Sequence, residues 1–138
     1  MPIPASISIM NSDGSLDTIY NHWNGYPDGL GETLIDYYIT EDMVRELIAL
    51  GNVSYVGRKL KPTTSNPDSD VTLALGVTTW KPNKEAIHFD TFEDYCKSNM
   101  IQKYNYIYNR PHWYIYTVNN EKKPTSFNDC VLLVCLLM

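Results

Sequence analysis

Tyr104-Asn105-Tyr106-Ile107-Tyr108-Asn109-Arg110-Pro111-His112-Trp113-Tyr114-Ile115-Tyr116 alternates its bulky side chains on both sides of a two-residue break. Alternation of this kind is the period of a β-strand, whose successive side chains point to opposite faces. Two strands joined at Arg110-Pro111 would place Tyr108 opposite Trp113, Tyr106 opposite Ile115 and Ile107 opposite Tyr114. Such cross-strand aromatic pairs stabilise a sheet, so the stretch reads as an aromatic β-hairpin.

Earlier in the chain, Ala5 to Met10 sets Ile7 and Ile9 on one face against Ser6 and Ser8 on the other, the pattern of a half-buried strand. Asn11-Ser12-Asp13-Gly14 reads as a turn, and Ser15 to Trp23 as the returning strand. Leu30, Leu34, Tyr37 and Tyr38 then recur at helical spacing, with Asp28, Glu32 and Asp36 on the opposite stripe. Thr40 suits the N-cap of a second helix with core face Met43, Val44, Leu47 and Ile48, and Gly51 its C-terminal stop. Residues 58–70 read as a mobile surface loop, Val71 to Trp80 as a strand, and Thr91 with Asp94 as a capping box opening a short helix. In the tail, Ser126 and Asp129 suit a helix cap, whereas Val131 to Val134 equally suits a buried strand.

These elements in 138 residues, 43% hydrophobic and 20% charged, predict one α+β domain spanning residues 1–138: a mostly antiparallel sheet with about three helices. The net charge of −5 gives no drive for coating duplex nucleic acid. Cys96, Cys130 and Cys135 are odd in number and form no CxxC pair, which suits a reducing, cytoplasmic setting. Met1 to Met10 has no basic and apolar signal-peptide pattern, and the apolar run Val131 to Met138 is far shorter than the roughly 20 residues a bilayer span needs. That run is expected to be core or a self-association interface.

Charge is unevenly distributed. Residues 1–44 hold no Lys or Arg and seven carboxylates, Asp13, Asp17, Asp28, Glu32, Asp36, Glu41 and Asp42, a charge of −7 against +2 for the rest. If the two helices bring Asp28, Glu32, Asp36, Glu41 and Asp42 together, they present a negative surface suited to a basic protein partner. The alternative is a solvated helix face with no partner.

The densest motif is Tyr20-Asn21-His22-Trp23-Asn24-Gly25-Tyr26-Pro27-Asp28-Gly29-Leu30-Gly31, at the junction of a strand and a helix. Its glycines permit a tight backbone path, with Trp23 and Tyr26 expected in the core and Asp28 as helix cap. Such a junction also exposes backbone N–H groups, but Asp28 and Glu32 would repel an anion there. His22, Trp23, Asn24 and Tyr26 are the candidate lining of a small-ligand or hydrolase pocket, with His22 and Asp28 as its acid–base pair. The histidines His22, His88 and His112 show no metal-ligand spacing, no nucleophile or phosphate-loop motif is present, and no cofactor is expected.

Tyr20 to Gly31 resembles the Y-x-H-W-[DN]-G-Y-x-x-x-x-G signature of small, largely uncharacterised phage and prophage proteins. Val44 to Gly57 (VRELIALGNVSYVG) is similar to that family's second block, so the resemblance covers about the first 57 residues. It carries over no catalytic residues. What it implies is a phage accessory protein that binds and inhibits a host factor, such as a nucleic-acid-handling defence protein or CRISPR effector. A nucleotide-binding protein or hydrolase using the His22 region and a structural module associating through Val131 to Met138 are the other readings.

Overall fold

The structure, a computed structural model, describes residues 2–60, 71–75, 85–119 and 124–134. Its centre is a mixed sheet of β1 (Ala5–Met10), β2 (Leu16–Asn21), β3 (Val53–Tyr55), β4 (Leu73–Ala74), β5 (Ile87–Phe89), β6 (Tyr104–Asn109), β7 (His112–Thr117) and β8 (Val131–Leu132). The strands run in the order β4-β3-β2-β1-β6-β7-β8, with β5 also paired to β2. Pairs β1·β6 and β2·β3 are parallel and the other described pairs antiparallel. Three α-helices, α1 (Glu32–Tyr37), α2 (Glu41–Ala49) and α3 (Phe92–Lys97), complete the expected α+β domain.

The aromatic hairpin has the expected register: Tyr108 faces Trp113, Tyr106 faces Ile115 and Ile107 faces Tyr114. The first hairpin turns at Gly14, which adopts φ +89°, a conformation glycine enters without Cβ strain. Thr40 Oγ1 accepts the Met43 N–H at 3.3 Å and Thr91 Oγ1 the Asp94 N–H at 3.1 Å, so α2 and α3 begin where capping chemistry places them. Gly51, at φ +81°, ends α2.

The sheet is covered on both faces. Ile7, Ile9, Ile19, Tyr106, Tyr108 and Ile115 pack under α1 and α2 with Leu34, Val44 and Leu47. On the opposite face, Leu16, Tyr20 and Ile107 pack against Tyr95 and Cys96 of α3. Each large apolar side chain so buried contributes roughly 1.5–3 kcal/mol. The half-buried reading of β1 is therefore corrected: Ser6 and Ser8 are as buried as the isoleucines, because α3 covers their face. Their hydroxyls are satisfied inside the protein, Ser6 Oγ donating to Asn105 Oδ1 at 2.8 Å and lying 2.7 Å from Tyr95 Oη, and Ser8 Oγ 2.7 Å from Thr18 Oγ1. Asn105 Oδ1 also accepts the Gln102 N–H, so this side chain ties the central strand to the approach to β6.

Two helix-face expectations change. Tyr37 stays exposed because α1 ends there: Tyr38 leaves helical geometry, turns inward and donates its hydroxyl to the Gly57 carbonyl at 2.7 Å. Met43 is exposed because Val44, Leu47 and Ile48 fill the contact of α2 with the sheet.

Within the expected strand Val71 to Trp80, only Leu73–Ala74 pairs as a strand among the described residues, and residues 76–80 lie outside them, as do 61–70 of the expected loop. In the tail, Ser126 and Asp129 form the capping box of a 3-10 turn (Phe127–Asp129) and Val131–Leu132 adds β8 to the sheet. Leu133 is buried while Val131 and Val134 are exposed; residues 135–138 lie outside the described part. Among the described residues, no helix is long and apolar enough to cross a membrane.

Candidate functional site

The junction from β2 to α1 is pinned by backbone contacts. His22 and Trp23 N–H groups donate to the Val53 and Ser54 carbonyls at 3.1 and 2.9 Å, anchoring the exit from β2 on β3. Gly25 N–H donates to the Ile3 carbonyl at 2.9 Å, and the Tyr106 hydroxyl donates to the Gly25 carbonyl at 2.7 Å. A Cβ on Gly25 would stand 2.6 Å from the Ile3 oxygen, so glycine is what lets these two backbones meet. Asn24 adopts φ +62°, a left-handed conformation that asparagine tolerates better than most residues. From there Leu30 N–H returns to the Asn24 carbonyl and a π-helical turn, Pro27–Gly31, leads into α1.

This loop turns its aromatic side chains outward. Trp23 is 45% and Tyr26 43% exposed, which corrects their expected place in the core. Tyr106 reaches the loop from β6, its ring 3.4 Å from the would-be Cβ of Gly31 and its hydroxyl on the Gly25 carbonyl. Trp23 is braced edge-on by His22, ring centroids 4.8 Å apart, and Tyr26 lies 6.1 Å from Tyr104. His22 Nδ1 is 2.9 Å from the Tyr20 hydroxyl, and Tyr20 itself is buried. Asp28 makes no capping bond: Tyr26 occupies the N-cap position and the Asp28 side chain is exposed. Asn24 packs its amide against Gly29.

The seven early carboxylates divide in two. Asp13 accepts the Ser15 N–H and hydroxyl at 3.0 and 2.6 Å, and those bonds hold its carboxyl below the usual range. Asp17 accepts Asn11 Nδ2 at 3.1 Å and lies 2.7 Å from His88 Nδ1, directly across the β2·β5 pair. Glu41 meets Arg45 at 3.0 Å and Arg110 at 3.8 Å. By contrast, Asp28, Glu32, Asp36 and Asp42 are exposed and make no ion pair among the described residues. Three of these four follow one another, about one turn apart, along the helical segment 27–37. Glu41, expected on the same face, is half-buried and its charge is offset by the two arginines.

Other expected groups are placed elsewhere. Tyr106 and Tyr108 of the aromatic hairpin are buried under α1 and α2, while Tyr104, Tyr114 and Tyr116 are half-buried. Among the described residues no cluster of three or more His, Cys, Asp or Glu side chains is arranged to hold a metal. Burial pushes the Cys96 thiol up to about 11 and the Cys130 thiol up to about 12, which keeps both protonated and unreactive near neutrality. An apolar cleft of about 290 Å³ lies between Ile35 and Ile39, Trp113, and Leu132 and Val134 of the tail.

Sequence reading missed two features of this surface. The outward aromatics gave no local signal, because a Trp and a Tyr in a strand-to-helix junction suit a core equally well. The Asp17–His88 contact joins positions 71 residues apart and needed the β2·β5 register to be seen. No family model, curated protein or solved structure matches this chain.

Proposed function

We propose that this chain is a phage or mobile-element accessory protein that binds a basic surface of a host protein and inhibits it, through an acidic face formed by Asp28, Glu32 and Asp36 and flanked by Asp42. The target class is a nucleic-acid-handling defence factor, whose positive groove a negative face competes for. The observation that carries the reading is the row itself: three exposed carboxylates one turn apart on residues 27–37, none of them in an ion pair among the described residues. Surface acids commonly have Lys or Arg interspersed, and a single-sign row raises the local potential that steers a basic partner. The resemblance of Tyr20 to Gly31 and Val44 to Gly57 to phage proteins supports the origin.

Capture from bacterial lysate with the wild type and the Glu32→Lys, Asp36→Lys double variant tests it. A basic protein retained by the wild type at low salt, released by high salt and not retained by the double variant is the expected result. Both positions are exposed, so the variant should melt as the wild type does. Equal retention by the two proteins overturns the reading.

A further inference from the structure

The motif Tyr20 to Gly31 holds two aromatic side chains out into solvent on a backbone fixed from both sides. Gly25 lies between Trp23 and Tyr26, its N–H bonded to Ile3 and its carbonyl to Tyr106, so the backbone that carries both aromatic residues is tied to two other segments of the chain. Burying apolar area is favourable, and a fold that holds a Trp and a Tyr nearly half exposed keeps that gain available for a partner. Because their backbone is already ordered, docking on them costs little conformational entropy. Exposed Trp and Tyr on a preformed surface are the residues that most often dominate a protein interface.

Charge selects the partner. Asp28 follows Tyr26 by two residues in the turn Pro27–Gly31, and its side chain is exposed. Glu32 continues the same row one turn on. Cations already lie over neighbouring rings, Arg58 at 5.5 Å from the Tyr37 centroid and Lys103 at 6.0 Å from that of Tyr104. The geometry points to Trp23, Tyr26 and Asp28 as an anchor for an arginine side chain of a basic protein segment. The planar guanidinium stacks on the aromatic face and donates to the Asp28 carboxylate, whereas a lysine ammonium offers one point charge without the planar stack. This rests on the acidic-face reading above and names the chemistry of its partner.

The intact chain is titrated with octa-arginine, octa-lysine and oligothymidine, following the indole N–H resonance of Trp23, assigned by its loss in Trp23→Phe. Octa-arginine should move that resonance saturably and bind roughly three- to ten-fold tighter than octa-lysine, the range expected for a partly desolvated cation–π contact. Trp23→Ala with Tyr26→Ala should remove the arginine preference while leaving the melting temperature near the wild-type value. If octa-arginine binding depends on Glu32 and Asp36 but is indifferent to Trp23 and Tyr26, the anchor is overturned and the acidic face stands. If it depends on neither pair, both readings fall. A Trp23 resonance moved by oligothymidine and not by octa-arginine overturns the anchor in favour of base stacking.

Discussion

The Tyr106 hydroxyl donates to the Gly25 carbonyl at 2.7 Å, a bond that joins the centre of the aromatic hairpin to the strand-to-helix junction 81 residues earlier. Through it, a buried side chain of β6 fixes a loop whose own aromatic residues face solvent. The loop's shape is therefore a property of the core.

Replacing Tyr106 by Phe keeps the ring's packing and leaves the Gly25 carbonyl without its partner. The expected cost is about 1–3 kcal/mol, the penalty for an unpaired buried acceptor. Urea unfolding should show a lower midpoint with an unchanged slope, since the surface exposed on unfolding is the same. The amide resonances of residues 23–26 should broaden or shift more than those of the first hairpin turn at Gly14.

How far the fold was legible follows the range of the interactions involved. Alternation in residues 5–10 and 104–116, the caps at Thr40 and Thr91 and the Gly14 turn are local, and each lies where side-chain period or turn chemistry puts it. The parallel β1·β6 pair, with Ala5 opposite Tyr104, joins segments about a hundred residues apart and leaves no local trace. For the same reason Ser6 and Ser8 resembled solvent-facing positions until α3, from Phe92 onward, covered them. At the candidate site the acidic row was legible as spacing, because i, i+4, i+8 positions share a helix face. Which carboxylates are paired depends on Arg45, four residues beyond Glu41 in the same helix, and on Arg110 and His88, which the fold brings in from other elements. The loop that carries the exposed Trp23 and Tyr26 is bonded to Ile3, Val53, Ser54 and Tyr106, partners remote in sequence.

Gly25 and Gly14 separate two reasons for glycine. A Cβ at Gly25 meets three contacts within 3.1 Å, the Ile3 and Pro4 carbonyl oxygens and the Ala5 Cβ, and backbone cannot give way as a flexible side chain can. Gly14 has open space around its would-be Cβ but sits at φ +89°. Gly14→Ala should cost roughly 1–2 kcal/mol from conformational strain alone. Gly25→Ala should cost more, about 2–4 kcal/mol, because it forces the junction away from residues 3–5. Thermal melts of the two single variants check the order, and an equal or smaller loss at Gly25 would show that the segment 3–5 moves aside freely.

His88 and Asp17 make stability depend on pH in a definite direction. His88 lies opposite Asp17 in the β2·β5 register, its Nδ1 2.7 Å from Asp17 Oδ1 and its Nε2 3.4 Å from Asp90 Oδ1. The hydrogen bond to Asp17, with the charges of Asp17, Asp90 and Asp13, raises the imidazole above its ordinary 6.5. A group whose folded-state pKa is raised favours the folded state when protonated, so the stabilisation is complete below about 6.5 and is lost as pH rises through the folded-state value. Both side chains are solvent-accessible, and salt should shrink the effect. The His88 ring resonances should titrate with a midpoint above 6.5, and Asp17→Asn should bring that midpoint back toward the ordinary value. Melting temperature should fall between mildly acidic and mildly alkaline pH in the wild type and fall less in His88→Gln. A His88 midpoint at or below 6.5 would mean that β5 is held to β2 by its backbone ladder and by Phe89 packing alone.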